Sequence, residues 1–530
     1  MRMGIPSYFS HIVREHRKII KEYNANRMAI HNLYMDCNSL IYEAVREIKY
    51  SKINYEFLII KEVCNKIKSY IELLKPSEHV YIAFDGVAPV AKLQQQRNRR
   101  YKSRFQNKLL KNLDVETGDS WDTVAITPGT KFMENLGQTI ENRFKNIKEF
   151  HVKKIIVSTS KIHGEGEHKI YQYIRDHPTH HSNTTTVIYG LDADLIMLTL
   201  NHLSIAPSMY LFRETPHFIK SIDKTLNPCQ NYVLDLPEFG RYLACELNDG
   251  NEPTTQQRYD RIFDYIFLCF FLGNDFLPHF PALNIRTSGI DRLLSVYRKT
   301  FGKTNENLVK GSKIIWKNVR KMLLELAKDE RDMICAEHRI RDRQSSSLMH
   351  RKLEGEDGLL AIPMIDRRKE NYINPYEKGW ESRYYQTLFD THINDMRRKQ
   401  ISINYLEGLE WTLKYYTTGC ANWRWGYKYD YPPLLSDLVK YIPYFDTELV
   451  SNTDPGPINE LVQLSYVLPG DSLYLLPPKI HDLLLKNNRN WYSDHEFCWA
   501  YCKYFWEAHA KMPEIDIEKL EQLVMSKINK

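Results

Sequence analysis

The stretch Val187-Ile-Tyr-Gly-Leu-Asp-Ala-Asp-Leu-Ile-Met-Leu198 decides the fold of this chain. A short apolar run ends in glycine, and two acids, Asp192 and Asp194, follow before the apolar character resumes. The pattern predicts a buried strand with carboxylates at its carboxyl end, which is the sheet edge where open α/β folds bind ligands. Charge held this close to a core needs a partner, and a metal ion is the commonest partner of paired acids.

Two more predicted strands also end in an aspartate. Residues 29–35 are apolar and aromatic and run into Asp36, and residues 80–84 run into Asp85. Between them, residues 56–74 keep the apolar spacing of an amphipathic helix. The resulting βαβ unit places both aspartates at the carboxyl edge of one parallel sheet, so we expect an α/β fold.

Three further acids complete a set of seven at predicted element ends. A strand at 154–157 leads into the glycine-flanked pair Glu165 and Glu167, and Asp275 lies at a helix stop. A single acid at such a place is more often a cap or turn former than a ligand. Seven together would repel one another, and two Mg²⁺ ions about 4 Å apart usually resolve that in phosphodiester hydrolysis. Oxygen-only ligands favour Mg²⁺ or Mn²⁺ over zinc. The predicted catalytic and metal-binding residues are Asp36, Asp85, Glu165, Glu167, Asp192, Asp194 and Asp275.

A basic helix is predicted directly after Asp85. Residues 91–112 contain helix formers and eight lysine or arginine side chains. A charge run of this kind is normally a solvated helix face. Here it begins one turn from the proposed metal site, and Lys92, Gln96 and Arg99 or Arg100 fall on one face, which favours phosphate recognition.

The bulk composition narrows the class of protein. The chain has 530 residues, a net charge of +7 and nine cysteines without a C-x-x-C pair. We expect reduced cysteines in an intracellular, soluble protein, since neither a secretory signal nor a membrane-spanning run is found; cytoplasm and nucleus are not distinguished. We predict a nuclease domain at 1–327, a charged linker at 328–371 and a mainly helical second region at 372–530.

Several strings of this sequence resemble one known family. MGIPSYF, NLYMDCNSLIY, AFDGVAPVAKLQQQRNRR, ITPGTKFM, GEGEHKI, YGLDADLIML and LGNDFLPHFP, in this order, resemble the XRN 5′→3′ exoribonucleases. The segment from EGLEW at 407–411 to PPLLSD at 432–437 resembles the same family. The resemblance implies a PIN/FEN-like nuclease core, with a central, mostly parallel sheet flanked by helices. It also implies a second region that completes the active-site pocket.

The resemblance also implies roles for individual residues. It makes the seven acids Mg²⁺ ligands and makes Lys92, Gln96, Arg99 and Arg100 a pocket for a 5′-monophosphate. The family stacks the first bases between an early aromatic residue and a tryptophan of the second region. The early residue, a histidine in the family pattern, is Tyr42 here, and the tryptophan would be Trp423 or Trp425. An interdomain packing role for the tryptophans is equally open.

We therefore interpret the chain as a Mg²⁺-dependent, processive 5′→3′ exoribonuclease. Its expected partner is single-stranded, 5′-monophosphorylated RNA, which it would degrade to mononucleotides as a monomer, away from membranes; protein partners stay open. One alternative is a flap-type structure-specific DNA nuclease, which shares the acid core. Another is a non-catalytic RNA-binding scaffold, which the seven acids disfavour because a binder gains nothing from negative charge near phosphates.

Overall fold

The computed structural model describes most of the chain. The described residues are 7–24, 28–112, 121–190, 192–213, 226–227, 230–351, 353–390, 393–451, 455–493 and 496–528. The first half of the MGIPSYF string therefore lies outside them.

A seven-stranded sheet forms the centre of the first region. Its order is β1-β7-β6-β5-β2-β3-β4; the five strands from β6 to β4 are parallel, and β7 and β1 add an antiparallel edge. This arrangement confirms the predicted α/β class with a mostly parallel sheet. The strands of the sheet are β1 (Ile20–Glu22), β2 (Asn32–Asp36), β3 (His79–Ala83), β4 (Lys154–Ser158), β5 (Thr186–Tyr189), β6 (Met209–Arg213) and β7 (Tyr232–Asp235). Two short hairpins are formed by β8 (Val309–Lys310) with β9 (Lys313–Ile314) and β10 (Glu496–Cys498) with β11 (His509–Lys511).

Helices cover the sheet and build nearly all of the second region. In the first part of the chain they are α1 (Tyr8–Glu15), α2 (Asn38–Glu47), α3 (Tyr55–Leu74), α4 (Val90–Asn112), α5 (Lys131–Arg143), α6 (Gly166–Asp176), α7 (Pro178–His181), α8 (Asp194–His202), α9 (Leu236–Leu247), α10 (Thr255–Cys269), α11 (Gly289–Phe301) and α12 (Trp316–Lys328). Those that follow are α13 (Glu330–Met349), α14 (Gly355–Ile365), α15 (Arg368–Ile373), α16 (Trp380–Phe389), α17 (Asp395–Thr417), α18 (Leu435–Tyr441), α19 (Glu460–Val467), α20 (Pro478–Asn487) and α21 (Ile517–Ile528).

The central strands are buried on both faces, which explains their continuous apolar sequence. In β2, Leu33 and Met35 pack into the core that contains α2 and α3, whereas Tyr34 packs into the core that contains α6 and α8. Alternate side chains of a strand point to opposite faces, so one strand serves both cores. The acids follow at the ends of such strands.

Residues 328–371 are helical rather than an irregular charged linker. They contain α13, α14 and the start of α15. Arg341 and Arg367 both bind Glu370, with N–O distances of 2.6 Å and 2.7 Å, and all three side chains are buried. Part of the charge of this segment is therefore held in buried ion pairs, which composition alone does not distinguish from solvated charge. The division of the chain at 327 and 372 stays a prediction.

The second region covers the basic helix α4 from outside. The Arg97 guanidinium donates to the carbonyl oxygens of Trp491 and Pro513, both at 2.9 Å. At the start of the helix, the Val90 amide donates to the Trp423 carbonyl at 3.0 Å. These contacts fix α4 between the two regions.

Across the part of the chain that is described, no helix is long and apolar enough to cross a membrane. Cys498 and Cys502 are both buried, and every described cysteine is a free thiol.

Candidate active site

Three neighbouring parallel strands deliver aspartates to one edge of the sheet. Asp36 is the last residue of β2, Asp85 follows β3, and Asp192 follows β5, which pairs with β2. Asp194 opens α8 directly behind Asp192, and its backbone N–H donates to the Asp192 carboxylate at 3.2 Å. The strand ends thus bring these acids together as the sequence predicts.

The loop before α6 joins the glutamates to this edge. The Gly166 N–H donates to Asp85 Oδ1 at 2.7 Å. A Cβ atom at Gly166 would lie only 2.7 Å from Asp36 Oδ1, so a side chain does not fit there. Asn38 accepts from the Asp85 N–H at 3.1 Å and donates to its Oδ2 atom. Glycine between Glu165 and Glu167 therefore permits close approach of the loop to both aspartates.

Lys92 connects the glutamate loop to Asp275. Its ammonium lies 2.6 Å from Glu165 Oε1 and 2.5 Å from Asp275 Oδ2. Burial lowers the Lys92 pKa, but the charges of Asp275 and Glu165 outweigh burial and hold that pKa well above its usual value. Gln95 donates to the other Asp275 oxygen at 3.2 Å. Lys92 therefore contacts the acids in this structure, while its predicted contact with a 5′-phosphate stays a prediction.

Three carboxylate oxygens in the acid cluster are buried without a hydrogen-bond partner among the described residues: Asp36 Oδ1, Glu167 Oε2 and Asp194 Oδ1. Burial raises the pKa of each of these carboxyl groups well above its usual value, and neighbouring acids raise it further. Buried oxygen acceptors without donors are what hard divalent cations bind, so the donor set fits such ions.

The acidic side chains of the cluster are not arranged around one common metal position in this structure. Among the described residues, no group of three or more histidine, cysteine, aspartate or glutamate side chains has the geometry to hold a metal ion. Lys92 draws Glu165 and Asp275 toward its ammonium. Binding of a cation would therefore require carboxylate rotation.

Tyr415 and Tyr416, near the end of α17, contact the acid cluster from the second region. The Tyr415 hydroxyl donates to Glu165 Oε2 at 2.7 Å, and the Tyr416 hydroxyl offsets part of the rise in the Asp194 pKa that burial causes. His168 stacks on Tyr415 with ring centroids 3.7 Å apart, and burial lowers its pKa well below the usual value. The sequence interpretation missed these residues. The only signal of Tyr415 and Tyr416 is an adjacent aromatic pair near the end of a helix, which is usually core packing.

Arg99 and Arg100 of the basic helix face a large cavity. It has a volume of about 1050 Å³ and is also lined by Tyr42, Gln95 and Asp275. The Nη1 atoms of both arginines are buried without a partner in the described chain, while Arg100 Nη2 donates to Thr127 Oγ1 at 2.6 Å. Burial lowers the pKa of Arg100 to about 10. Two guanidinium groups with unused inward donors fit an anion.

The other two predicted phosphate ligands are placed differently. Neither Lys92 nor Gln96 is among the residues that line this cavity, and Gln95 lines it instead. Gln96 Oε1 is buried without a partner among the residues described.

The predicted stacking residues lie in different places relative to the cavity. Tyr42 lines the cavity, whereas Trp423 and Trp425 do not. Trp425 stacks on Trp411 with ring centroids 5.2 Å apart, and Trp423 meets His163 edge-on at 5.4 Å. Both tryptophans thus have packing contacts here, and base stacking by either stays a prediction.

Two family profiles match this chain and together cover most of it. The profile described as XRN 5′-3′ exonuclease N-terminus matches residues 3–215, and the Xrn1 helical domain matches residues 256–359 and 364–529. The helical profile thus begins before the predicted linker and runs through almost all of it.

Similar curated proteins agree with the profiles. The Drosophila melanogaster protein named 5′-3′ exoribonuclease 2 homolog is 28% identical, over 98% of this chain and 70% of its own length. The Gallus gallus 5′-3′ exoribonuclease 2 is also 28% identical, over 98% of this chain and 69% of its own length. The Arabidopsis thaliana 5′-3′ exoribonuclease 2 is 26% identical, over 98% of this chain and 66% of its own length. With its strand-end acids, its basic helix and these two matches, the chain belongs to the XRN 5′-3′ exonuclease family.

Proposed function

We propose that this chain is a 5′→3′ exoribonuclease that degrades single-stranded, 5′-monophosphorylated RNA processively to mononucleotides, with Mg²⁺ or Mn²⁺. One observation carries the proposal: among the described residues, buried carboxylate oxygens without donors and buried arginine Nη1 atoms without acceptors occur at adjoining sites. The first set suits cations and the second suits an anion. A phosphodiester cleaved next to a terminal phosphate needs both. The names of the similar proteins support the same activity.

The acids would hold the cations, and each would have a defined place. Asp36, Asp85 and Asp192 would provide oxygens from the strand ends, Asp194 and Glu167 from the first turns of α8 and α6, and Glu165 and Asp275 from loops. Bound divalent cations would activate the attacking water and stabilise the charge that develops on the phosphate. The chain's own contribution is to fix these oxygens through Asn38, Gly166 and Tyr415.

Lys92 balances the charge of this site. Its ammonium contacts two of the seven carboxylates, Glu165 and Asp275, and its one positive charge offsets one of their negative charges. If Glu165 or Asp275 turned toward a bound cation, the Lys92 ammonium would become available to a phosphate oxygen. In this way Lys92 could still serve the terminal phosphate, together with Gln96.

Arg99 and Arg100 would select the 5′ end. Thr127 fixes the Arg100 guanidinium, and Arg97 holds α4, which carries both arginines, against the second region. Two arginine forks suit a single phosphate group, and the proposal is that a 5′-triphosphate or a cap is excluded. Tyr42, which lines the same cavity, would stack on one side of the first bases, and Trp423 or Trp425 would stack on the other.

The proposal is tested by incubating the chain with one RNA sequence that carries a 5′-monophosphate, a 5′-triphosphate or a 5′-hydroxyl. Each RNA is tested with Mg²⁺, with Mn²⁺ and with a chelator. We expect mononucleotides from the monophosphate only, and only with a divalent cation. Equal degradation of all three RNAs would reject end selection, and undiminished degradation in chelator would reject the metal site. Matched single-stranded and flap DNA would reveal the DNA nuclease alternative.

A further inference from the structure

The cavity beside Arg99 and Arg100 also has a wall from the second region. Besides Tyr42 and Asp275, residues 427–430, 506–507 and 509–515 line it. Its volume of about 1050 Å³ lies just above the range of about 300–1,000 Å³ for sites that enclose one small ligand. The cavity therefore has room for more of an RNA strand than its terminal nucleotide.

Trp506 is a fixed aromatic surface on this wall. Its ring stacks on Tyr504, with centroids 4.2 Å apart and planes 18° from parallel, and 37% of the residue remains exposed. Its carbonyl oxygen accepts a hydrogen bond from Lys102 of α4 at 2.6 Å. The neighbouring Phe505 is fully buried and anchors the segment. Trp506 is thus held from one side and open on the other.

Cationic groups surround this aromatic pair. Arg286 and Lys503 lie 5.7 Å and 5.3 Å from the Tyr504 ring centroid, and Arg286 also pairs with Glu507, which lines the cavity. Lys428 is exposed and lines the same cavity, with its backbone N–H bound to Asn404 at 3.0 Å. Exposed aromatic rings flanked by cations along a groove are the usual surface for single-stranded nucleic acid, because rings stack on bases and cations meet phosphates.

We propose that Trp506 stacks on a base of the RNA strand that lies 3′ of the terminal nucleotides, and that Lys428 contacts the backbone nearby. This inference rests on the proposed function, because it requires an RNA whose 5′ end lies at Arg99 and Arg100. The two sets of residues line one cavity, so one strand can contact both. Trp506 and Lys428 would hold the remaining RNA after each nucleotide is released.

Crosslinking to the unmodified chain tests the contact directly. A 5′-monophosphorylated RNA with 5-iodouridine at one position at a time is bound in chelator, irradiated, and the crosslinked peptide is identified by mass spectrometry. We expect an internal position, and not the first nucleotide, to crosslink to Trp506. Absence of a crosslink to Trp506 from every position would overturn the inference.

Affinity measurements give the size of the contribution. In chelator, Trp506→Ala should weaken binding of a dodecamer about 5- to 100-fold and leave binding of a dinucleotide unchanged, whereas Trp506→Phe should retain most of the affinity. Phe445→Ala is the matched control, because Phe445 is 83% exposed and does not line the cavity. Equal losses for both RNA lengths, or an unchanged dodecamer affinity, would overturn the inference.

These experiments separate the inference from the proposed function. If the unmodified chain degrades 5′-monophosphorylated RNA but Trp506 neither crosslinks nor affects affinity, only the inference fails. If Trp506 crosslinks but no RNA is degraded with any divalent cation, the proposed function fails.

Discussion

Replacing Asp192 by asparagine should stabilise the fold in chelator, although it removes a proposed metal ligand. Burial raises the pKa of Asp192 from 3.8 to about 6, and the charge of Asp275 adds to the rise. Since one pKa unit corresponds to about 1.36 kcal/mol, the ionised carboxylate lowers the free energy of unfolding by at most about 3 kcal/mol. Asp192 keeps partial solvent contact, so we expect the variant to recover about 1–3 kcal/mol.

The sign of the pH dependence follows from the same shift. The native carboxyl group binds its proton more tightly than the unfolded one, so the cost of ionisation develops between pH 3.8 and about 6 and is constant above. An asparagine at position 192 does not ionise and therefore carries no such free-energy cost. The advantage of the variant should therefore be roughly half as large at pH 5 as at pH 7.

Thermal unfolding midpoints of both proteins, at these two pH values and over a Mg²⁺ series, measure the effect. In chelator at pH 7 the variant should unfold at the higher temperature, while added Mg²⁺ should raise the midpoint of the unmodified chain more, because the ion binds the native state. Asp446→Asn, at an exposed position, is the control and should change neither the midpoint in chelator nor its response to Mg²⁺. A variant midpoint equal to or below that of the unmodified chain in chelator would refute the argument from buried charge. An equal response to Mg²⁺ would remove Asp192 from the ligand set.

Three other substitutions test separate parts of the account. Arg99→Ala should reduce the preference for 5′-monophosphate over 5′-hydroxyl RNA about 10- to 100-fold, since a charge-assisted hydrogen bond contributes about 1.5–3 kcal/mol, while Lys108→Ala on the exposed side of the same helix should not. An unchanged ratio of rates in matched assays would remove Arg99 from the phosphate pocket. Tyr42→Ala should shorten processive runs more than it slows a single cleavage, and Tyr42→Phe should behave like the unmodified chain; equal losses in run length and in single-cleavage rate would count against stacking. Glu370→Ala should lower the free energy of unfolding by about 3–5 kcal/mol, because it leaves buried Arg341 without its ion-pair partner and Arg367 with only the exposed Asp342. A thermal midpoint unchanged by Glu370→Ala would show that the ion pairs of Glu370 with Arg341 and Arg367 do not stabilise the helices of residues 328–371.

The strand ends could be predicted from the sequence for a physical reason. Strands buried on both faces are continuous apolar runs, and the residue where each run stops is at the sheet edge. Asp36, Asp85 and Asp192 were predicted in this way, at the ends of adjacent strands. The same pattern did not predict the parallel strand β6, the three-residue strand β1 or the antiparallel strand β7.

Long-range partners could not be predicted in the same way. Tyr415 reaches Glu165 across 250 positions of sequence, and no local pattern distinguishes it from a core tyrosine. Lys92 belongs by spacing to the face of α4 that we predict to bind phosphate, yet its side chain contacts the acids. The charge of segment 328–371 suggests a linker, and composition does not reveal that Arg341 and Arg367 are paired with Glu370 inside the fold.

The most direct test of the central claim is release of nucleotides from an RNA with a labelled 5′-monophosphate. The unmodified chain and Asp194→Ala are compared with Mg²⁺, after circular dichroism shows that both are folded. We predict that the unmodified chain releases labelled mononucleotide first and that the variant releases none, because the variant lacks one of the buried carboxylates. Turnover near that of the unmodified chain by the folded variant, or release that begins at the 3′ end, would contradict it.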